Sequence, residues 1–314
     1  MQGGPGDERR GSGGRAPESA PPGSPRGRLA ADLRRLRRLA GVSGRELAGR
    51  LGISQSKVSR IEAGRTPASR GEVAAWAKAL GASDEDAAAL VALAESALLD
   101  VRDWRTGLAE RGHLQGEMGE REARARRTFT YQPSIVPGLL QTSEYARRVF
   151  AMFDIPYSPE NLAAAVTGRM ERHAVLYTDR SFDFLVTEAA LRWCPGPVHV
   201  LLAQLDRLRN LSTLDNISLG LIPQGRPATT YISHSFVIYE LDAGQGADED
   251  AADNVPFVEV ETIHANLTTY SPDDVRLYRG RWERLAAAAV FEADARIFLA
   301  DLAAEVGAAA GRSS

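Results

Sequence analysis

Between Gln55 and Arg65 the chain gathers side chains able to read or grip a polyanion: Gln55, Ser56, Lys57, Ser59, Arg60 and Arg65. A glutamine amide can pair bidentately with adenine and a guanidinium with guanine, while a serine hydroxyl suits either base. Lys57 can reach a phosphate or a guanine, and a phosphate contact fixes orientation without carrying sequence information. The solvated side of an ordinary amphipathic helix has the same composition, so the surrounding elements must decide between the two readings.

Those elements are spelled out in residues 44 to 64, GRELAGRLGISQSKVSRIEAG. Leu47, Leu51, Val58 and Ile61 recur at helical spacing on either side of Gly52-Ile53, so two short helices can share one apolar seam. Ala48 is small where the second helix must approach, and Gly52 stands where the first should end in a left-handed turn. Ser43 followed by Glu46 reads as a capping box, and Ser54 as the next N-cap. The whole pattern predicts a helix-turn-helix, whose second helix lies in the major groove with its N-terminal residues toward base edges. Double-stranded DNA is the implied partner.

With helical sequence on both sides, residues 28–98 resemble the five-helix, phage-repressor-like helix-turn-helix family often called the XRE family. The resemblance implies an all-α five-helix domain in which Gln55, Ser56 and Ser59 hold the base-reading positions. The loop with Gly64 and Arg65 would grip phosphate, and Arg37 with Glu62 would form a structural ion pair. Gly44 departs from the family, which usually has a phosphate-contacting Gln there; Arg45 or Ser43 is the candidate replacement. A homodimer on two half-sites is also implied.

Charge supports the assignment. Residues 1–80 hold 16 Lys+Arg against 7 Asp+Glu, a net of +9, and the rest hold 22 against 34, a net of −12, which together return the −3 of the chain. Local cations at the contact surface set phosphate affinity, so a pI near 6.0 is no objection. Residues 1–27, with eight Gly and five Pro, lack the apolar side chains to offset chain entropy and are predicted to be a disordered tail. Its Arg9, Arg10 and Arg15, with the following Arg26 and Arg28, either are simply solvated or enter a minor groove. Neither a signal-peptide core nor a long apolar run is visible, which predicts a cytoplasmic, nucleoid-associated protein with no membrane partner. A single cysteine, Cys194, excludes an intramolecular disulfide framework.

The remaining length predicts a second domain. SRGEVAAWAKALG and SDEDAAALVALAESALLDVRDW read as the fourth and fifth helices, and residues 99–126 as a connecting helix or linker. Residues 127–314 alternate apolar, β-branched segments (RTFTY, SFDFLVT, ISLGLIP, SFVIYEL, PFVEVE, ANLTTY) with helical ones. The expectation is a multidomain chain: a helical N-terminal domain, then a mixed α/β domain with a helical C-terminus running on from Ser271 to about Val306.

YQPSIVPGLLQTSEYARRVF, VTEAALRW and QLDRL resemble a domain of uncharacterised function, DUF5753, found fused to helix-turn-helix modules in actinobacterial regulators. Such regulators, WhiJ-type ones among them, are often encoded beside small acidic partner proteins, and some are antitoxin-like. His173, where the family commonly has Gln, and Cys194-Pro195 depart from its pattern. In PGLLQT, Pro137-Gly138 suits a turn and Leu139-Leu140 would pack beneath it, leaving Gln141, Thr142 and Glu144 to start a helix. That structural role suffices; the other reading has Gln141, Tyr145 and Glu188 lining a ligand or partner pocket.

His113, His173, His199, His234 and His264 form no local metal motif, and the sequence has no nucleophile elbow, no phosphate loop and no dinucleotide fingerprint. DAGQGADEDAAD reads as a solvated insertion, and Cys194 lacks an obvious base. No catalytic residue, metal or cofactor is assigned. The leading expectation is a sequence-specific transcription regulator. An antitoxin-like protein that sequesters a small partner and autoregulates its operon is the alternative, and a small-molecule sensor or enzyme the third.

Overall fold

The computed structural model describes residue 20 and residues 23–104, 114–154, 156–241 and 255–312. The chain divides into two compact units, Met1–Ala97 and Leu98–Ser314.

The first unit consists of α1 (Pro25–Leu39), α2 (Gly44–Leu51), α3 (Gln55–Glu62), α4 (Arg70–Ala79) and α5 (Asp84–Ala97). Their packed sides meet in a core that includes Leu33, Leu47, Val58, Ile61, Val73 and Trp76. Each of the first four helices opens on a serine whose hydroxyl accepts a backbone N–H of the first turn: Ser24, Ser43, Ser54 and Ser69. The capping box read at Ser43 is only half made: Ser43 accepts from the Glu46 amide at 3.1 Å, but the Glu46 carboxylate turns to Arg50 at 2.7 Å. The complete box is at Ser69 and Glu72.

Two boundaries differ from the sequence reading. Ser24-Pro25 starts α1 three residues inside the expected tail, and Arg26 is buried, its Nε donating to the Ala97 carbonyl at 3.4 Å, so it does not belong to a basic arm. Residues 1–19 and 21–22, including Arg9, Arg10 and Arg15, lie outside the described residues. α5 ends at Ala97, and Leu99–Asp103, read as helix and connector, forms strand β1 of the second unit.

The second unit continues with α6 (Gln115–Arg124), β2 (Ala125–Gln132), a 3-10 turn at Gly138–Leu140, α7 (Ser143–Ala151) and α8 (Pro159–Arg172). A second 3-10 turn (His173–Tyr177) leads to β3 (Ser181–Thr187), α9 (Glu188–Arg192), α10 (Val198–Leu211), β4 (Ile217–Ile222), β5 (Phe236–Leu241), β6 (Phe257–Glu261) and β7 (Ala265–Thr269). α11 (Pro272–Ala286) and α12 (Glu292–Arg312) close it. The seven strands form one mixed sheet in the order β1-β7-β6-β5-β2-β3-β4. β2, β3 and β4 run parallel, with the helical connections that parallel neighbours require, while β2 and the strands on its other side pair antiparallel. Two apolar clusters pack on the sheet: one joins Tyr145, Val186, Leu205 and Leu299, the other Phe129, Tyr131, Phe236 and Val275.

The C-terminal helix expected to run on from Ser271 is two helices. At the break Val290 exchanges backbone hydrogen bonds with Leu221 of β4 at 2.8 and 2.9 Å, and Glu292 takes a φ of +50°. Gly220 makes room for the Phe291 ring, which a Cβ there would meet at 2.5 Å. A tertiary contact therefore interrupts a run, LAAAAVFEADA, that carries no local breaker.

Candidate nucleic-acid interface

α3 is held from behind. Val58, Ile61 and Glu62 are buried, while Gln55, Ser56 and Ser59 are exposed along the opposite side. Gly52, at φ +66°, ends α2, and the Ile53 amide reaches back to the Ala48 carbonyl at 3.1 Å, which sets the tight turn into α3. A Cβ on Gly44 would lie 3.9 Å from Gln55 Nε2, so the start of α2 adjoins the start of α3. Exposed Arg45 follows directly on that side.

The far end of α3 is equally fixed. Arg37 holds Glu62 bidentately, Nε to Oε1 at 2.6 Å and Nη2 to Oε2 at 2.7 Å, and its Nη1 donates to the Val42 carbonyl at 3.0 Å. Arg34 donates to the Glu62 carbonyl at 2.8 Å. Gly64, at φ +67°, closes the helix with its amide on Ile61 at 3.0 Å and the Arg65 amide on Arg60 at 2.9 Å, leaving the Arg65 side chain exposed. The Ala20 amide donates to the Gly64 carbonyl at 3.3 Å, so the chain leading into α1 passes this turn.

Two expected contact residues already have protein partners. Lys57 Nζ lies 2.6 Å from Glu72 Oε1 of α4. Burial pushes the Glu72 carboxyl up, but hydrogen bonds from Lys57 and Ser69 outweigh it and hold the group below its usual range. Arg60 Nη1 donates to Ser56 Oγ at 3.0 Å. The pairing of Lys57 is illegible in sequence because Glu72 lies on another helix. The exposed polar surface therefore centres on Gln55, Ser56 and Ser59, flanked by the Arg45 and Arg65 charges.

Of the three residues considered for a pocket in the second unit, Gln141 and Tyr145 both bond the Val136 backbone, whereas Glu188 is held by other partners. Gln141 is buried and splits its amide, Nε2 donating to the Val136 carbonyl at 2.7 Å and Oε1 accepting from Arg169 at 2.7 Å. Tyr145 is core: its hydroxyl takes the Val136 amide at 3.4 Å, its ring meets Trp193, and burial pushes its phenol up to about 12. Glu188 binds Arg192 at 2.7 Å and the Gln224 amide at 2.8 Å. Gln141 borders a cavity. His173 bridges Arg207, whose Nη2 lies 2.9 Å from Nδ1, to the Gly138 carbonyl at 3.5 Å from Nε2. Burial, and then the Arg207 charge, pull its pKa down to about 4, so the ring is neutral and its Nε2–H donates to Gly138. Cys194 is exposed, with its thiol on the Gly196 carbonyl at 2.9 Å. Among the described residues, no group of three His, Cys, Asp or Glu is placed to hold a metal, and no helix is long and apolar enough to cross a membrane.

Residues 28–90 match the model of a helix-turn-helix domain, which with the outward face of α3 defines the class: a DNA-binding regulator of the helix-turn-helix type. Residues 115–301, more than half of the chain, match the domain of unknown function DUF5753, and the protein belongs to that family. No curated protein matches it. A solved chain described as "Structure of TrmBL2, an archaeal chromatin protein, shows a novel mode of DNA binding" aligns with 84% of this chain and 92% of its own at 10% identity. Its TM-score is 0.27, too low to carry an argument.

Proposed function

We propose that this protein is a sequence-specific transcription regulator that sets α3 in the major groove. Gln55, Ser56 and Ser59 meet base edges, while Arg45 and Arg65 hold phosphates on either side. The observation that carries this is the exposure of those three polar side chains on a helix whose other side is locked by Val58, Ile61 and the Arg37–Glu62 pair. Arg60, tied to Ser56, can swing to a base or stay as its support, and Lys57 serves first to brace α3 against α4. The protein acts as a homodimer at the nucleoid, with half-sites about 34–36 Å apart, as two helix-turn-helix units on one side of a duplex require. It is a binding protein rather than an enzyme.

In vitro selection from a random duplex pool tests this reading. The full-length chain is expected to enrich a two-fold symmetric sequence, and Gln55→Ala to relax the preference at one position in each half-site. An unenriched pool, or an unchanged preference in the variant, overturns the reading.

A further inference from the structure

The second unit contains two adjoining cavities that the DNA-binding reading does not use. The larger, about 530 Å³, lies in the range of small-molecule sites, and the smaller, about 100 Å³, shares part of its lining. Phe153, Arg169, Ser235 and Glu261 border both. One wall is aromatic: Phe150, Phe153 and Tyr157 pack with ring centroids 5.5 to 6.1 Å apart, and Trp104 borders the same space with its indole N–H on the Thr262 carbonyl at 2.8 Å. Three exposed apolar side chains, Met152, Phe153 and Ile263, border the larger cavity.

Arg169, Asp154 and Glu261 are the charged side chains that line the larger cavity among the described residues, and of these Arg169 and Glu261, opposite in sign, also border the smaller one. Arg169 is 8% exposed, with Nε on Gln115 at 3.3 Å, Nη1 on Gln141 at 2.7 Å and its guanidinium 4.2 Å from the Phe150 centroid. Its Nη2 has no hydrogen-bond partner, and no carboxylate forms an ion pair with it among the described residues. The neighbouring Arg172 is by contrast satisfied by Glu122 at 2.9 Å. The carboxylate of Glu261, an exposed residue at the end of β6, likewise makes no hydrogen bond or ion pair among the described residues and keeps open surface toward the cavity, although protein surrounds it at longer range. That burial pushes its carboxyl up, with Arg169 opposing. In the smaller cavity Thr128 Oγ1 is buried without a hydrogen-bond partner among the described residues. Buried polar groups such as Arg169 and Thr128 are ordinarily satisfied, so they, together with the solvent-open Glu261 carboxylate, mark where a ligand's polar atoms would sit.

We propose that this cavity binds a small organic molecule with a flat apolar body and a neutral or zwitterionic head, the head accepting from Arg169 and donating to Glu261. A carboxamide or an aromatic α-amino acid has this chemistry. A lone carboxylate would face Glu261, and a lone ammonium would face Arg169.

Three probes with one indole body test this: indole-3-acetamide, indole-3-acetate and tryptamine, titrated into the full-length chain and followed by ligand-observed NMR and calorimetry. The acetamide is expected to bind at least about tenfold more tightly than either ion, a difference typical of unpaired polar groups in a site. Ser235→Trp, which fills the shared border, should abolish binding, and Glu261→Gln should raise the affinity for indole-3-acetate. Should Ser235→Trp fail to fold, Phe153→Ala at the exposed wall is expected to weaken the acetamide about fivefold or more through the lost stacking. No binding of any probe, equal binding of all three, or acetamide binding that survives the folded wall variant overturns the proposal.

Discussion

Removing the Gln55 amide takes away a group that can pair with one base, whereas removing the Arg65 guanidinium takes away a charge that every duplex feels. Gln55→Ala and Ser59→Ala should each reduce discrimination at particular base pairs by about 1–3 kcal/mol, read from affinities for operators substituted one pair at a time. Arg65→Ala should weaken all sequences alike and lower the salt slope by about 1. Arg37→Ala leaves the buried Glu62 carboxylate, among the described residues, with the more distant Arg34, 3.8 Å away, and should destabilise the first unit by about 2–3 kcal/mol in urea unfolding. His173 gives a pH signature. Its folded pKa is about 4 against a usual 6.5, so the unfolded chain binds the extra proton between them. Its contribution is complete above pH 6.5 and fades as pH falls toward 4, by on the order of 3 kcal/mol at most. Between pH 7 and 5 the wild type should lose more stability than His173→Gln, and equal losses would refute a neutral buried ring.

At the scale of elements, what was legible in sequence was what short-range chemistry encodes. Ser54, Gly52 and the apolar spacing from Leu47 to Ile61 mark α2 and α3 because caps, a positive φ and a shared seam are local demands. Six of the seven strands stand out as apolar, β-branched runs. β1 was missed because LDVRD is short and charged and pairs only with β7, more than 160 residues away. The break before α12 was missed because it depends on Val290 docking beside β4. Arg169 and Glu261 were missed as site residues for a related reason: charges at alternate positions of PFVEVE look like a solvated strand face, whereas Glu259 is buried on Arg121 and Glu261 opens into a cavity. Gly220→Ala would drive a Cβ to 2.5 Å from Phe291 and 2.6 Å from Leu185. The expected loss is about 2 kcal/mol in the unfolding of the second unit, with helix content largely kept. A neutral substitution would show that the Phe291 contact does not position α12.

Across the whole molecule, the two units divide the chemistry. The basic first 80 residues, at +9, carry the surface for a polyanion, and the acidic remainder, at −12, opposes unspecific binding elsewhere. Affinity for DNA should therefore fall steeply with salt despite the net charge of −3, because counterion release depends on the phosphates actually met. The central claim is that α3 reads sequence, and fluorescence anisotropy tests it most directly: the full-length protein titrated against duplex from upstream of its own gene and against a scrambled duplex, across a salt series, with Gln55→Ala alongside. The account predicts tighter binding to the upstream duplex, a salt slope shared by wild type and variant, and loss of the preference in Gln55→Ala. Equal affinity for both duplexes, or a preference that survives the substitution, would contradict it.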